Sequence, residues 1–187
     1  MSETLIFILR SVIDISPSLL LIRLLLQLVQ ANFYNPICQA IFKVCAPVVE
    51  PLSRLLPTVG SFNIAALVAA ILVKWSFYLI LMGFGAVAVG EIFAYLAVAG
   101  FDLLRTLIEI YFWGIFILVI SSWVGTTQHP TVMLVSQVVD PYMRPFRNLI
   151  PPIGMIDISP MAAIFTLMFI RAKVLPMLGG LIVPLLN

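Results

Sequence analysis

The feature that most limits how this chain can fold is a proline pattern that occurs twice. Adding 94 to the residue number carries Pro36, Pro47, Pro51, Pro57 and Gly60 onto Pro130, Pro141, Pro145, Pro151 and Gly154. The same shift carries Val44, Leu55 and Ile64 onto Val138, Leu149 and Ile158. Proline fixes φ and glycine frees it, so these coincidences match backbone shape. Upstream, a shift of 95 places Arg10 and Asp14 on Arg105 and Glu109. In each pair the acid follows the arginine by four residues, on one helix face. The chain therefore reads as a tandem repeat of two units, 1–94 and 95–187.

Each unit sets its proline-rich segment between two long apolar stretches. They run over about 5–31 and 62–82 in the first unit and 101–124 and 157–175 in the second, with an apolar C-terminal tail after the last. Each comes near the ~20 residues a bilayer-crossing helix requires. Composition agrees: 63% of the 187 residues are hydrophobic and 10% charged, too few polar groups to cover a soluble domain of this length. Met1-Ser2-Glu3-Thr4 lacks the basic start of a secretory signal, and the stretch that follows is long enough to span, so it reads as an uncleaved first helix. The fold class expected is an all-α membrane protein.

The segments between the spans carry a 3.6-residue stripe. After Pro47, Val48, Val49, Leu52, Leu55 and Leu56 lie opposite Glu50, Ser53 and Arg54. After Pro141, Tyr142, Met143, Phe146, Leu149 and Ile150 lie opposite Arg144, Arg147 and Asn148. Such a stripe fits a helix lying in the membrane interface. Asp140 reads as an N-cap with Pro141 at the first helical position. Pro51 and Pro145 follow four residues into each run and predict a kink or a shortened helix. The expectation is thus an amphipathic hairpin over about 36–57 and again over 130–151, surface-lying or re-entrant.

Between the units, 83–100 is apolar and carries Ala86, Gly90 and Ala94 at helical spacing, a small-residue connector suited to close helix packing. If it does not cross the bilayer, both units point the same way. Lys43, Arg54, Arg144 and Arg147 then share one side, opposite a connector without Lys or Arg, which predicts cytoplasmic hairpins and external termini.

Chemistry-bearing signatures are scarce, and no enzyme, cofactor or metal site is expected. Phosphate loops, HExxH and CxxC are missing, and His129 is the single histidine. Its place before Pro130 matches Asn35 before Pro36 and points to a helix-starting turn. Cys38 and Cys45 would lie roughly 10 Å apart along one helix, too far for a disulfide. A formal charge of +2 gives no nucleic-acid footprint. Charges inside apolar segments are the sharper candidates, because charge at bilayer depth is costly. They are Arg10, Asp14, Lys74, Glu91, Arg105 and Glu109; internal salt bridges or snorkelling are the plainer explanation for them. Lys43, Arg54, Arg144 and Arg147 are candidates for lipid or partner contact, at about 1 kcal/mol each near an anionic leaflet. Positive-inside topology explains them equally well.

Phe33-Tyr34-Asn35-Pro36 with Pro47 and Pro51-Leu-Ser-Arg54-Leu-Leu-Pro57 resembles the YggT (YlmG) family. So do Asp140-Pro141 through Arg144-Pro145-Phe-Arg147, Pro151 and Gly154-Met-Ile-Asp157-Ile-Ser159-Pro160. The resemblance covers essentially the whole chain. Ser53 and Asn148 stand where that family often carries a second arginine, and Asn63 stands where it has an aspartate matching Asp157. The resemblance implies a multi-pass protein of the bacterial inner membrane, with plastid relatives. Family members are linked to osmotic-shock tolerance, division-gene neighbourhoods, cytochrome maturation and nucleoid organisation. Three roles follow as expectations: a non-enzymatic, homo-oligomeric scaffold contacting lipids and other membrane proteins; an oligomeric ion or osmolyte channel or transporter; and an assembly factor for a membrane cytochrome.

Overall fold

A computed structural model describes residues 3–85, 92–151 and 157–182, with side chains from residue 15 onward. The described chain is almost wholly helical. Helix α1 covers Glu3–Leu28, α2 Pro36–Ser53, α3 Ile64–Gly83, α4 Ile92–Val124 and α5 Pro130–Leu149. Helix α6 (Ser159–Phe169) runs through a π-helical turn, Ile170–Val174, into α7 (Leu175–Ile182). A two-residue antiparallel ribbon, β1 (Thr58–Val59) and β2 (Phe62–Asn63), joins α2 to α3 and turns at Gly60, whose φ of +59° lies in the left-handed region.

Among the described residues, three helices are long and apolar enough to cross a membrane: Ile64–Gly83, Ile92–Val124 and Ser159–Ile182. Within α1 the described apolar stretch is Ile15–Leu28. One cluster joins Leu20, Leu21 and Leu24 of α1 to Cys45 and Val49 of α2 and to Ala65, Ala66, Ala69 and Ala70 of α3. The alanines let α1, α2 and α3 approach closely. A second cluster joins Ile108 and Ile115 of α4 to Val139 and Met143 of α5, Ala163 and Leu167 of α6, and Leu175. Leu25, Leu26 and Cys38 meet Leu134 and Val138 in a third, which ties α1 and α2 to α5.

Four sequence expectations need correction. The segments read as hairpins are single helices, α2 and α5, that run unbroken through Pro47 and Pro51 and through Pro141 and Pro145. Proline's φ is itself helical, and what it removes is one hydrogen bond to the carbonyl four residues back. All four prolines are exposed, so the helices lose those bonds on their outer side while the inner faces stay packed. Asp140 accordingly lies inside α5 and caps nothing; His129 is the N-cap. The connector is not a separate helix, since 92–100 already belongs to α4, 33 residues long. Finally, the last apolar helix continues to Ile182, beyond the boundary at 175. Ala86, Gly90 and Gly154 lie outside the described residues.

Candidate functional site: charges within the helical bundle

The helix starts are fixed by short polar side chains. Asn35 Oδ1 accepts from the Ile37 amide at 2.9 Å, and His129 Nδ1 accepts from the Thr131 amide at 3.3 Å; each stands before a proline at the first helical position. Asn63 Oδ1 caps α3 through the Ala66 amide at 3.0 Å, and its amide nitrogen donates to Gln27 Oε1 at 3.1 Å. Asp157 accepts from the Ser159 amide at 2.9 Å, at the matching place before α6. Asn63 thus caps α3 through its side chain, whereas α6, whose N-cap is Ile158, has no side-chain cap and Asp157 holds the turn one residue earlier.

Lys74 is buried in α3, 8% exposed, and its Nζ lies 3.6 Å from Asp102 Oδ2 of α4. Tyr78, one turn after Lys74, donates its hydroxyl to the same carboxylate oxygen, and its ring stacks on Tyr95 at 5.6 Å. The ammonium also stands 5.8 Å from the Phe77 ring centroid. Trp75 Nε1 donates to the Ile92 carbonyl at 2.9 Å. Charge, phenol and indole together clamp α3 to α4. Sequence reading singled out Lys74 and missed Asp102. The available signal was that a lysine within an apolar helix requires a counter-charge, which the next apolar helix supplies.

Arg23 was missed as well. It is 8% exposed in α1, donates Nη1 to the Phe42 carbonyl of α2 at 3.3 Å, and holds its guanidinium 5.0 Å from the Phe42 ring centroid. That carbonyl belongs to the turn before Pro47. Arg23 Nε is buried with no hydrogen-bond partner among the described residues.

The expected Arg105–Glu109 pairing is replaced. Glu109 Oε1 lies 3.1 Å from Arg171 Nη1, which also approaches Oε2 at 3.4 Å. Arg171 sits in the π-helical turn, whose extra residue per turn changes the direction of its side chain. Arg105 is exposed and forms no ion pair with a described residue. The side chains of Arg10 and Asp14, and all of Glu91, lie outside the described residues.

On α5, Asp140 takes both neighbouring arginines, Arg144 Nε at 2.8 Å and Arg147 Nη1 at 2.8 Å. Arg147 also reaches Asp157 at 3.8 Å. Arg147, Asp157, Trp123 and Pro160 line a cavity of about 360 Å³ beside the start of α6. Arg144 remains 71% exposed despite its pairing. On α2, Lys43 stands exposed on the outer face beside Val44 and Val48, and Arg54 stands exposed at the C-cap. Burial pushes the Cys38 and Cys45 thiols up, and Arg23 partly offsets this at Cys45.

Comparison with known proteins accounts for the chain nearly end to end. The CCB3/YggT family model matches twice, over residues 2–84 and 97–178. The chain is 35% identical to the Escherichia coli K12 protein "Uncharacterized protein YggT", over 97% of this chain and 96% of that one. It is 34% identical to an uncharacterised Pseudomonas aeruginosa protein over 94% of this chain and 90% of that one. A Vibrio alginolyticus protein encoded 3′ of proC is 30% identical over 87% of this chain and 89% of its own length. No solved structure matches. With the family model covering both halves and these relatives matching at nearly full length, the chain belongs to the CCB3/YggT family.

Proposed function

We propose that the chain is a non-enzymatic scaffold of the bacterial inner membrane, built from two copies of one unit, whose helices α2 and α5 hold anionic lipid headgroups at one membrane face. The observation that carries this reading is the position of the cations. Both helices lock their apolar faces into the bundle while Lys43, Arg54 and Arg144 stay exposed on the outside. On α2 the cation stands beside exposed Val44 and Val48, the mixture suited to the boundary between headgroups and hydrocarbon. Support for the duplication comes from the paired caps, Asn35 with His129, and from the family model matching twice.

The test is lipid selectivity. Purified protein is placed in mixed bilayers, and the immobilised fractions of spin-labelled phosphatidylglycerol and phosphatidylcholine are compared. Each exposed cation contributes about 1 kcal/mol, roughly fivefold in preference for the anionic lipid. Lys43→Glu, Arg54→Glu and Arg144→Glu together should abolish that preference. An unchanged ratio would overturn the reading.

A second reading, an oligomeric conduit for ions or osmolytes, draws on the buried Lys74–Asp102 pair. Liposomes containing the protein that pass no K⁺, Na⁺ or H⁺ under an imposed gradient would exclude it.

A further inference from the structure

A cavity of about 390 Å³ lies where α1, α2, α4 and α5 meet. Ile22 and Ile117, Ile37 and Thr131, and Ile41 and Val135 all line it. Each of these pairs is related by the shift of 95 or 94 that superimposes the two sequence units. The space therefore exists only where the units meet. Helix α4 lines it from Thr106 to Ile117, eleven steps or about 16 Å. Its inner end holds Glu109, which stands near the middle of α4, seventeen residues from Ile92 and fifteen from Val124. Its other end holds Ile37 and Thr131, in the first turns of α2 and α5. The cavity is thus a groove from mid-helix to the face where α2 and α5 begin. It opens sideways along α4, where Trp113 is 54% and Ile117 41% exposed.

Width, charge and depth each narrow the choice of occupant. A volume of about 390 Å³ over about 16 Å leaves a cross-section of about 24 Å². A helix about 10 Å across needs about three times that area, so no helix of a partner or of a second copy can enter. Walls made mainly of isoleucine, leucine and valine offer water few hydrogen-bond partners. Among the described residues that line the groove, Glu109 alone is charged, and Arg171, which does not line it, pairs with that carboxylate at 3.1 Å. The complementary occupant carries no charge into the groove. A cavity of about 150 Å³ takes the six carbons of benzene, so about 390 Å³ takes about sixteen. The length of about 16 Å is half of a hydrocarbon layer about 30 Å thick. Sixteen carbons in a tube one leaflet deep describe a single lipid acyl chain.

We propose that this groove holds one acyl chain of a membrane phospholipid, which enters from the leaflet where α2 and α5 begin and leaves its headgroup at that face. The chain fills the seam between the two units. The inference rests on the proposed reading that the long apolar helices cross the bilayer.

The experiment is native mass spectrometry of the full-length protein extracted in mild detergent, which should show one phospholipid retained per chain. Ile22→Trp sets an indole across the groove and should lower the retained fraction about tenfold. Ile41→Phe, a smaller obstruction, should lower it in the same direction, and circular dichroism verifies that each variant is folded. Met168→Trp, on an exposed position of α6 that does not line the groove, should leave retention unchanged. Stripped protein offered equal amounts of phosphatidylcholines with ten-carbon and sixteen-carbon chains should retain the longer about fivefold more, because it fills the groove with contacts. Absence of any retained lipid in the parent protein would overturn the proposal, as would retention that survives in both folded obstructed variants. A retained mass matching a free fatty acid or an isoprenoid would assign the groove to that molecule instead. The headgroup reading fails separately: Lys43→Glu, Arg54→Glu and Arg144→Glu should leave this lipid in place, and Ile22→Trp should leave the preference for phosphatidylglycerol intact. Release of the chain from membranes by alkaline carbonate would sink the spanning reading itself.

Discussion

The side-chain amide of Asn35 donates to the carbonyl of Pro130 at 2.8 Å, so the residue that caps α2 also holds the first residue of α5. These positions are near-equivalents in the two proline patterns, and beside them the Asn32 amide donates to Gln137 Oε1 at 3.1 Å. The starts of α2 and α5 are joined by polar bonds on the outside and by Cys38, Leu134 and Val138 within.

Asn35→Ala should therefore cost more than a cap alone. Loss of an N-cap costs about 1 kcal/mol, and loss of the bond to Pro130 adds about 1 kcal/mol. Asn35→Asp keeps the acceptor for the Ile37 amide and removes the donor, so it should recover about half of the loss. Unfolding in detergent followed by circular dichroism reads both variants. Equal stability of the two would show that the Pro130 contact carries all of the effect.

The Lys74–Asp102 pair predicts an asymmetry between single and double substitutions. Asp102→Asn takes a carboxylate away from the buried Lys74 ammonium and should destabilise by about 3 kcal/mol. Lys74→Met with Asp102→Leu removes both charges and should return to within about 1 kcal/mol of the parent. A double variant no better than the single would mean that Tyr78, which also binds that carboxylate, dominates the clamp.

Much of this organisation is legible in the residues. Asn-Pro and His-Pro mark the starts of α2 and α5, and the apolar stretches locate both ends of α3 and the start of the last helix to within a few residues, but not that helix's end. The hairpin expectation failed because a proline reads as a break in one dimension. In three dimensions, an outer-face proline leaves the buried face of the same helix intact. Lys74 with Asp102 and Arg23 with Phe42 are contacts between helices, set by packing that no local spacing encodes. Arg105 and Glu109 have the correct spacing for a pair, but the π-helical turn brings Arg171 to the same carboxylate, and nothing in Ile170–Val174 announces that turn.

Gly114 tests how closely α5 lies on α4. A Cβ at that position would stand 2.7 Å from Val139 Cγ2 and 3.6 Å from Val135 Cγ1. Gly114→Ala should destabilise by about 1–3 kcal/mol through overpacking, and Val139→Ala in the same chain should restore more than half of it. Thermal unfolding of the two singles and the double, set out as a mutant cycle, measures the coupling. Additive effects would show that the two helices do not pack at this crossing.

Cys38 and Cys45 are 1% and 4% exposed, and burial holds both thiols above their ordinary range. Reaction with maleimide requires the thiolate, so labelling at neutral pH should be slow in the folded protein and complete after denaturation. Raising the pH should speed labelling of folded protein from a lower starting rate but by at least as large a factor as for a free thiol, whose thiolate fraction levels off first. Rapid modification of either cysteine in the folded state would show that α2 lifts from α1 and α3.

Helix α4 has 33 residues, which at 1.5 Å per residue makes a rod of about 50 Å. Hydrocarbon about 30 Å thick would hide all of it only at an inclination of about 53°, beyond the tilts that membrane helices adopt. Even at about 40° some seven residues project into the headgroup zone or past it. The end with exposed Ser122 and Trp123 has the composition for that position. A crossing made by this helix therefore carries the chain at least into the headgroup zone, by means of one overlong rod.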